Sequence, residues 1–141
     1  MTWLLDTCVL SELVRPRPKA SVVRWVRARD ESELFLSVIT IGELERGIAK
    51  LPPSAKRTKL EQWVRRDLAE RFRNRLLGID AEVMSRWGAL SGSAASRGLT
   101  LPVIVSLIAA TSLQHGLRVV TRNVDDFTRC GAQCFDPWVD G

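Results

Sequence analysis

Asp6 stands directly after the apolar run Trp3-Leu4-Leu5, and Asp125-Asp126 stand shortly after the run Leu117-Arg118-Val119-Val120-Thr121. In parallel α/β sheets, binding and catalytic groups collect where strands end and loops begin. Acids at these two places can therefore meet in space. Glu43, inside the helical pattern Ile41-Gly42-Glu43-Leu44-Glu45-Arg46-Gly47, is a third candidate. Clustered carboxylates suit one task above others, the holding of a hard divalent cation through oxygen. Each acid also has a plainer use. Asp6 suits a helix cap, Glu43 the first turn of a helix, where the dipole favours a carboxylate, and Asp125 or Asp126 a solvated turn.

The chain around these acids has 141 residues, 45% hydrophobic and 26% charged, the make-up of one ordinary globular domain spanning 1–141. No run of ~20 apolar residues is present, which excludes a spanning helix. The N-terminus shows no basic region ahead of its apolar run and no secretory cleavage pattern, so a cytoplasmic setting is expected. Cys8, Cys130 and Cys134 make neither an even framework nor a CxxC pair, and His115 is the only histidine. This set argues against a zinc site. Cys8 without a histidine base is read as a small buried side chain rather than a nucleophile.

Net charge is +5 and the isoelectric point about 9.7. The basic residues are grouped: Arg15, Arg17 and Lys19; Arg24, Arg27 and Arg29; Lys56, Arg57 and Lys59; Arg65 and Arg66 through Arg71, Arg73 and Arg75. A basic shell attracts a polyanion through its long-range field and counterion release. Around an acidic, metal-holding centre, that is the charge layout a metal-dependent nuclease needs.

The elements that must position the acids alternate between strand-like and helical patterns, which argues for βαβ units and a parallel sheet. Trp3–Leu5 reads as the first strand, followed by a helix over 7–14 with Thr7 as its cap and Pro16 and Pro18 as its end. Ser21 is the expected cap of a second helix bearing Val22, Trp25 and Val26. Residues 34–38 read as a buried strand, and Thr40 as the cap of a helix with Ile41, Leu44 and Ile48 inward. Pro52-Pro53 ends it. A long helix over 54–72, a strand over 75–79 and a helix from Ala81, capped by Asp80 and stopped by Gly98, follow. Pro102 opens an apolar helix to about Leu113. Residues 117–121 form the fourth expected strand, and 132–135 an edge strand.

Three segments carry a family likeness. Leu4-Leu5-Asp6-Thr7-Cys8-Val9-Leu10-Ser11-Glu12 resembles the opening of PIN-domain ribonucleases, as does Thr40-Ile41-Gly42-Glu43-Leu44 with Gly47. Thr121-Arg122-Asn123-Val124-Asp125-Asp126-Phe127 resembles the Thr-x-Asn-x-x-Asp-Phe ending of VapC toxins, the nuclease half of VapBC toxin–antitoxin pairs. The resemblance implies a three-layer α/β/α sandwich around a central, mostly parallel sheet. It implies Asp6, Glu43 and Asp126 as catalytic and metal-holding positions for Mg2+ or Mn2+, and Thr121 and Asn123 as hydrogen-bonding support. It implies a single-stranded or looped RNA substrate, a small cognate antitoxin and a homodimer.

The same resemblance expects a further aspartate near the start of the helix before the Thr-x-Asn strand. In Leu101-Pro102-Val103-Ile104-Val105-Ser106-Leu107-Ile108-Ala109-Ala110-Thr111 its place holds Val105, which has no lone pair for a cation. An inactive or weakened nuclease is one expectation from this departure; a non-catalytic RNA- or antitoxin-binding protein on the same fold is another. A phospho-acceptor receiver domain, also doubly wound with clustered acids, expects an acid pair after the first strand and a lysine after the last. Asp6 alone and Arg122-Asn123 stand there instead. The expected geometry is convergence of Asp6, Glu43 and Asp126 on one pocket lined by Val105.

Overall fold

A computed structural model describes residues 1–140. Five short strands, β1 (Trp3–Leu5), β2 (Leu34–Ser37), β3 (Leu76–Leu77), β4 (Arg118–Val120) and β5 (Cys134–Phe135), form one sheet in the order β3-β2-β1-β4-β5. Every pairing is parallel, with Leu5 level with Val120 and Trp3 level with Leu34. The chain leaves β1 for β2 on one side and reaches β4 on the other. Such a reversal opens a crevice at the C-terminal edge of the strands, between β1 and β4.

Alternation of side chains along the strands divides the interior in two. Trp3 and Leu5 of β1, Leu34 and Leu36 of β2 and Val120 of β4 face one way. They pack on α1 (Thr7–Leu13), α2 (Ala20–Arg27), α3 (Val38–Ala49) and the helical run that follows. Leu4 and Val119 face the other way, onto α7 (Val103–His115) and α8 (Val124–Arg129), with Leu90 of α6 (Ala81–Ser96) against them. Two cores on either side of one sheet make the three-layer α/β/α sandwich. Leu4, Leu34, Leu36 and Ile108 are all at most 1% exposed; burial on that scale contributes roughly 1.5–3 kcal/mol per side chain.

The 54–72 helix is not uniform. It runs as α4 (Ala55–Gln62), a wider π turn (Trp63–Leu68) and α5 (Ala69–Arg71). The π turn carries Val64 and Leu68 into the first core.

Several caps differ from the sequence reading. Asp6, not Thr7, caps α1: its carboxylate accepts from the Thr7 N–H at 2.8 Å. Helix α2 starts at Ala20 with Lys19 at its N-cap and no side-chain bond there, so Ser21 lies inside it. Ser37, which accepts from Ile39 N–H at 3.0 Å, caps α3 three residues earlier than Thr40. Glu43 therefore sits in the second turn of α3, beyond the reach of the N-terminal dipole. The third strand shrinks to Leu76–Leu77, and α8 forms where no helix was expected, a single six-residue turn with too little periodicity to register. Asp80 caps α6, and Gly98 and Gly116, both at positive φ, end α6 and α7.

Candidate active site at the C-terminal sheet edge

Asp6 emerges from β1 beside Thr121, which follows β4, because the Asp6 N–H bonds the Val120 carbonyl at 3.0 Å. Its carboxylate is 6% exposed and accepts three donors: Thr7 N–H at 2.8 Å, the Thr121 hydroxyl at 2.8 Å and the Cys8 thiol at 3.5 Å. Burial pushes the Asp6 carboxyl above its ordinary value, and the Thr121, Thr7 and Cys8 donors pull it partly back. The Cys8 thiol is pushed up to about 11 by burial first and by the Asp6 charge second. It is thus a neutral donor, in keeping with its reading as a small buried side chain.

Glu43 approaches from α3. The Thr7 hydroxyl donates to its Oε1 at 2.6 Å and lies 3.2 Å from the Thr40 hydroxyl. Thr7 thus ties the two acids together, its backbone N–H on Asp6 and its side chain on Glu43. Sequence reasoning assigned Thr7 only to a cap; the one signal for this second role was its place between a strand and a helix.

Asp126 is placed differently. Its Oδ1 accepts from Arg129 at 3.4 Å, and it lines an open cavity of about 310 Å3 with Arg122, Asn123, Val124, Asp125 and Asp136. A separate groove of about 230 Å3 holds Thr7, Ser11, Val14, Glu43, Leu44, Gly47, Ile48, Leu60 and Trp63. Glu43 and Asp126 thus line different cavities, and Asp6 lines neither. Val105 lines neither; it is half-buried against the core of Leu4, Ile108 and Val119. Asn123 supports Thr121 through its backbone N–H, at 2.9 Å from Thr121 Oγ1, and its side chain makes no cap bond on α8. Glu12 is buried and accepts from Lys19 N–H at 2.9 Å and Arg15 at 3.1 Å, clamping the Pro16–Pro18 turn.

Among the described residues, no three of His, Cys, Asp and Glu stand close enough to hold one ion. Asp6 and Glu43, linked through Thr7, form a pair of hard oxygen donors. Magnesium is commonly bound through one or two carboxylates with several waters retained, so the pair fits a hydrated divalent ion, but sparsely.

The model of the PIN domain matches residues 3–132, from β1 past α8. The chain belongs to the PIN domain family. It is 34% identical over 137 residues to Toxin FitB of Neisseria gonorrhoeae, covering 97% of this chain and 99% of that protein. It is 34% identical over 135 residues to the plasmid stability protein StbB of Pseudomonas syringae pv. tomato, covering 96% and 97%. A VapC ribonuclease of Sinorhizobium fredii is 31% identical over 135 residues, covering 96% of each. The crystal structure of FitAcB from Neisseria gonorrhoeae superposes with a TM-score of 0.91 at 33% identity, over 98% of this chain and 99% of that one. FitAB bound to an IR36 DNA fragment gives 0.90 at 31%, over 97% and 96%. The sandwich of this PIN domain is thus the family's own, and Asp6, Glu43 and Thr121 lie within the matched span. No helix among the described residues is long and apolar enough to cross a membrane.

Proposed function

We propose that this PIN domain is the toxin of a toxin–antitoxin pair, an endoribonuclease acting on single-stranded or looped RNA. In this reading Asp6 and Glu43 hold Mg2+ or Mn2+, Asp126 serves from the adjoining cavity, and Val105 weakens the activity by standing at an aspartate position. The observation that carries the reading is the Asp6–Thr7–Glu43 linkage at the C-terminal edge of a parallel sheet. A buried carboxylate raised in pKa and ringed by donors is costly without a cation, and functional sites are where such costs gather. The names of the relatives, a toxin and a VapC ribonuclease, support the same assignment.

A bound divalent ion supplies water activation and neutralises charge developing on the scissile phosphate. The chain's own residues do the positioning. Thr121 fixes the Asp6 carboxylate, Thr7 fixes Glu43, and the net charge of +5 draws RNA to the molecule.

The partner is a small antitoxin whose C-terminal segment lies across this edge. The groove running from Glu43 past Leu44, Ile48, Leu60 and Trp63 suits an apolar segment ending in an arginine, whose fork matches a carboxylate. Co-purification with Asp6→Ala and Glu43→Ala variants tests this; retention unaffected by both rules it out. A homodimer belongs to the same reading, with Met84, Val103 and Ile104 exposed on α6 and α7.

Val105 and the two-carboxylate donor set favour a second reading, a non-catalytic RNA- or antitoxin-binding PIN domain. Titration of Mg2+ and Mn2+ against cleavage of single-stranded RNA, in the natural chain and in Val105→Asp, separates them. Cleavage by either protein supports the nuclease. Silence in both, with RNA or antitoxin still bound, leaves the binding protein.

A further inference from the structure

Arg122 follows Thr121 directly, so its backbone is fixed one residue from the hydroxyl that holds Asp6. Its side chain lines the cavity that also carries Asp125, Asp126 and Asp136. Among the described residues it makes no ion pair with any of them. Asp126 is engaged by Arg129, and Asp136 accepts the Trp138 N–H at 2.8 Å. The Arg122 guanidinium instead lies over the Trp138 ring, its Cζ 5.1 Å from the centroid.

Trp138 is a held platform. It packs against the core that contains Trp3 and Trp25, and its backbone N–H is tied to the Asp136 carboxylate. A cation–π contact at an exposed site contributes ~0.5–1 kcal/mol, enough to bias one side-chain direction. Among the described residues the guanidinium makes no side-chain hydrogen bond and no ion pair, so beside the ring its N–H donors stay free. The planar edge of a guanidinium is what binds a phosphate bidentately. Arg122 is the cation of a cavity otherwise lined by acids, an asparagine and a valine.

We propose that Arg122, held on Trp138, contacts a phosphodiester of single-stranded RNA and positions the strand over the Asp6–Glu43 edge. This rests on the reading of the chain as an RNA-cleaving PIN domain and names a residue that orients its substrate.

The test is binding of an end-labelled uridine 20-mer to the full chain in EDTA, by fluorescence anisotropy over a range of KCl concentrations. Each phosphate contact to a single strand contributes about 0.7 to the slope of log K against log salt. Arg122→Ala is expected to lower the slope by about that amount and to weaken binding several-fold at low salt. Arg122→Lys is expected to keep the slope. Trp138→Leu is expected to weaken binding, and its combination with Arg122→Ala to be no worse than Arg122→Ala alone. Arg118→Ala, at the opposite end of the same strand, is expected to leave the slope unchanged. An Arg122→Ala slope equal to the natural chain's, or an equal fall in Arg118→Ala, overturns the inference while RNA binding itself stands. No RNA binding by the natural chain overturns this inference and the ribonuclease reading together.

Discussion

The Thr121 hydroxyl donates to the Asp6 carboxylate at 2.8 Å across 115 positions of sequence. Both groups are buried, and Thr121 Oγ1 also accepts the Asn123 N–H. Removing the hydroxyl leaves a buried carboxylate short of a donor and an amide short of an acceptor. Thr121→Val, close in shape, is expected to lose about 1–3 kcal/mol of stability. Urea denaturation in EDTA at pH 7 checks this; an unchanged midpoint would show that water replaces the hydroxyl.

Asp6 gives a pH signature of definite sign. Burial raises its folded carboxyl above the ordinary 3.8, so between 3.8 and the raised value the folded state holds more protons than the unfolded one. Stability therefore falls as pH rises through that window and stays lowered above it. In chelator, Asp6→Asn is expected to gain on the natural chain from pH 4 towards pH 7, with the two converging below about pH 4. A difference that does not change with pH contradicts the burial argument.

Val105→Asp is expected to reverse the balance of stability and metal response. The side chain packs on the Leu4–Ile108 core, so a carboxylate there costs stability in EDTA. If the added acid completes a site, Mg2+ at a hundredfold excess over its dissociation constant restores ~2.7 kcal/mol. Melting temperatures with and without Mg2+ decide it. Identical melting in both conditions would place the missing ligand elsewhere.

Cys8, raised to about 11 by burial and by Asp6, should resist alkylation. At pH 8 only about 0.1% of it is thiolate, against roughly a quarter of an ordinary cysteine of pKa 8.5. Iodoacetamide labelling followed by peptide mass mapping is expected to find Cys8 unmodified in the folded chain, and faster labelling in Asp6→Asn. Rapid labelling of Cys8 would mean that the edge is open to solvent.

The sequence by itself determined the layers and the places of the acids. Trp3–Leu5 and Leu117–Thr121 are short apolar runs, and the helical periodicity between them argues for parallel pairing. Acids just beyond such runs must lie at the C-terminal edge, whatever else the fold does. Caps were less legible. Ser37 and Thr40 both carry a hydroxyl near the start of α3, and only the turn of the backbone at Ser37 decided between them. Tertiary structure alone decided which acids associate. Periodicity assigns a residue to a face, but a hydrogen bond needs two groups within about 3 Å in a set direction. The β1–β4 register supplied that for Asp6 and Thr121, and the packing of α1 on α3 for Thr7 and Glu43. The short helix α8 instead placed Asp126 one turn from Arg129, at i,i+3, on the cavity it shares with Arg122, Asp125 and Asp136.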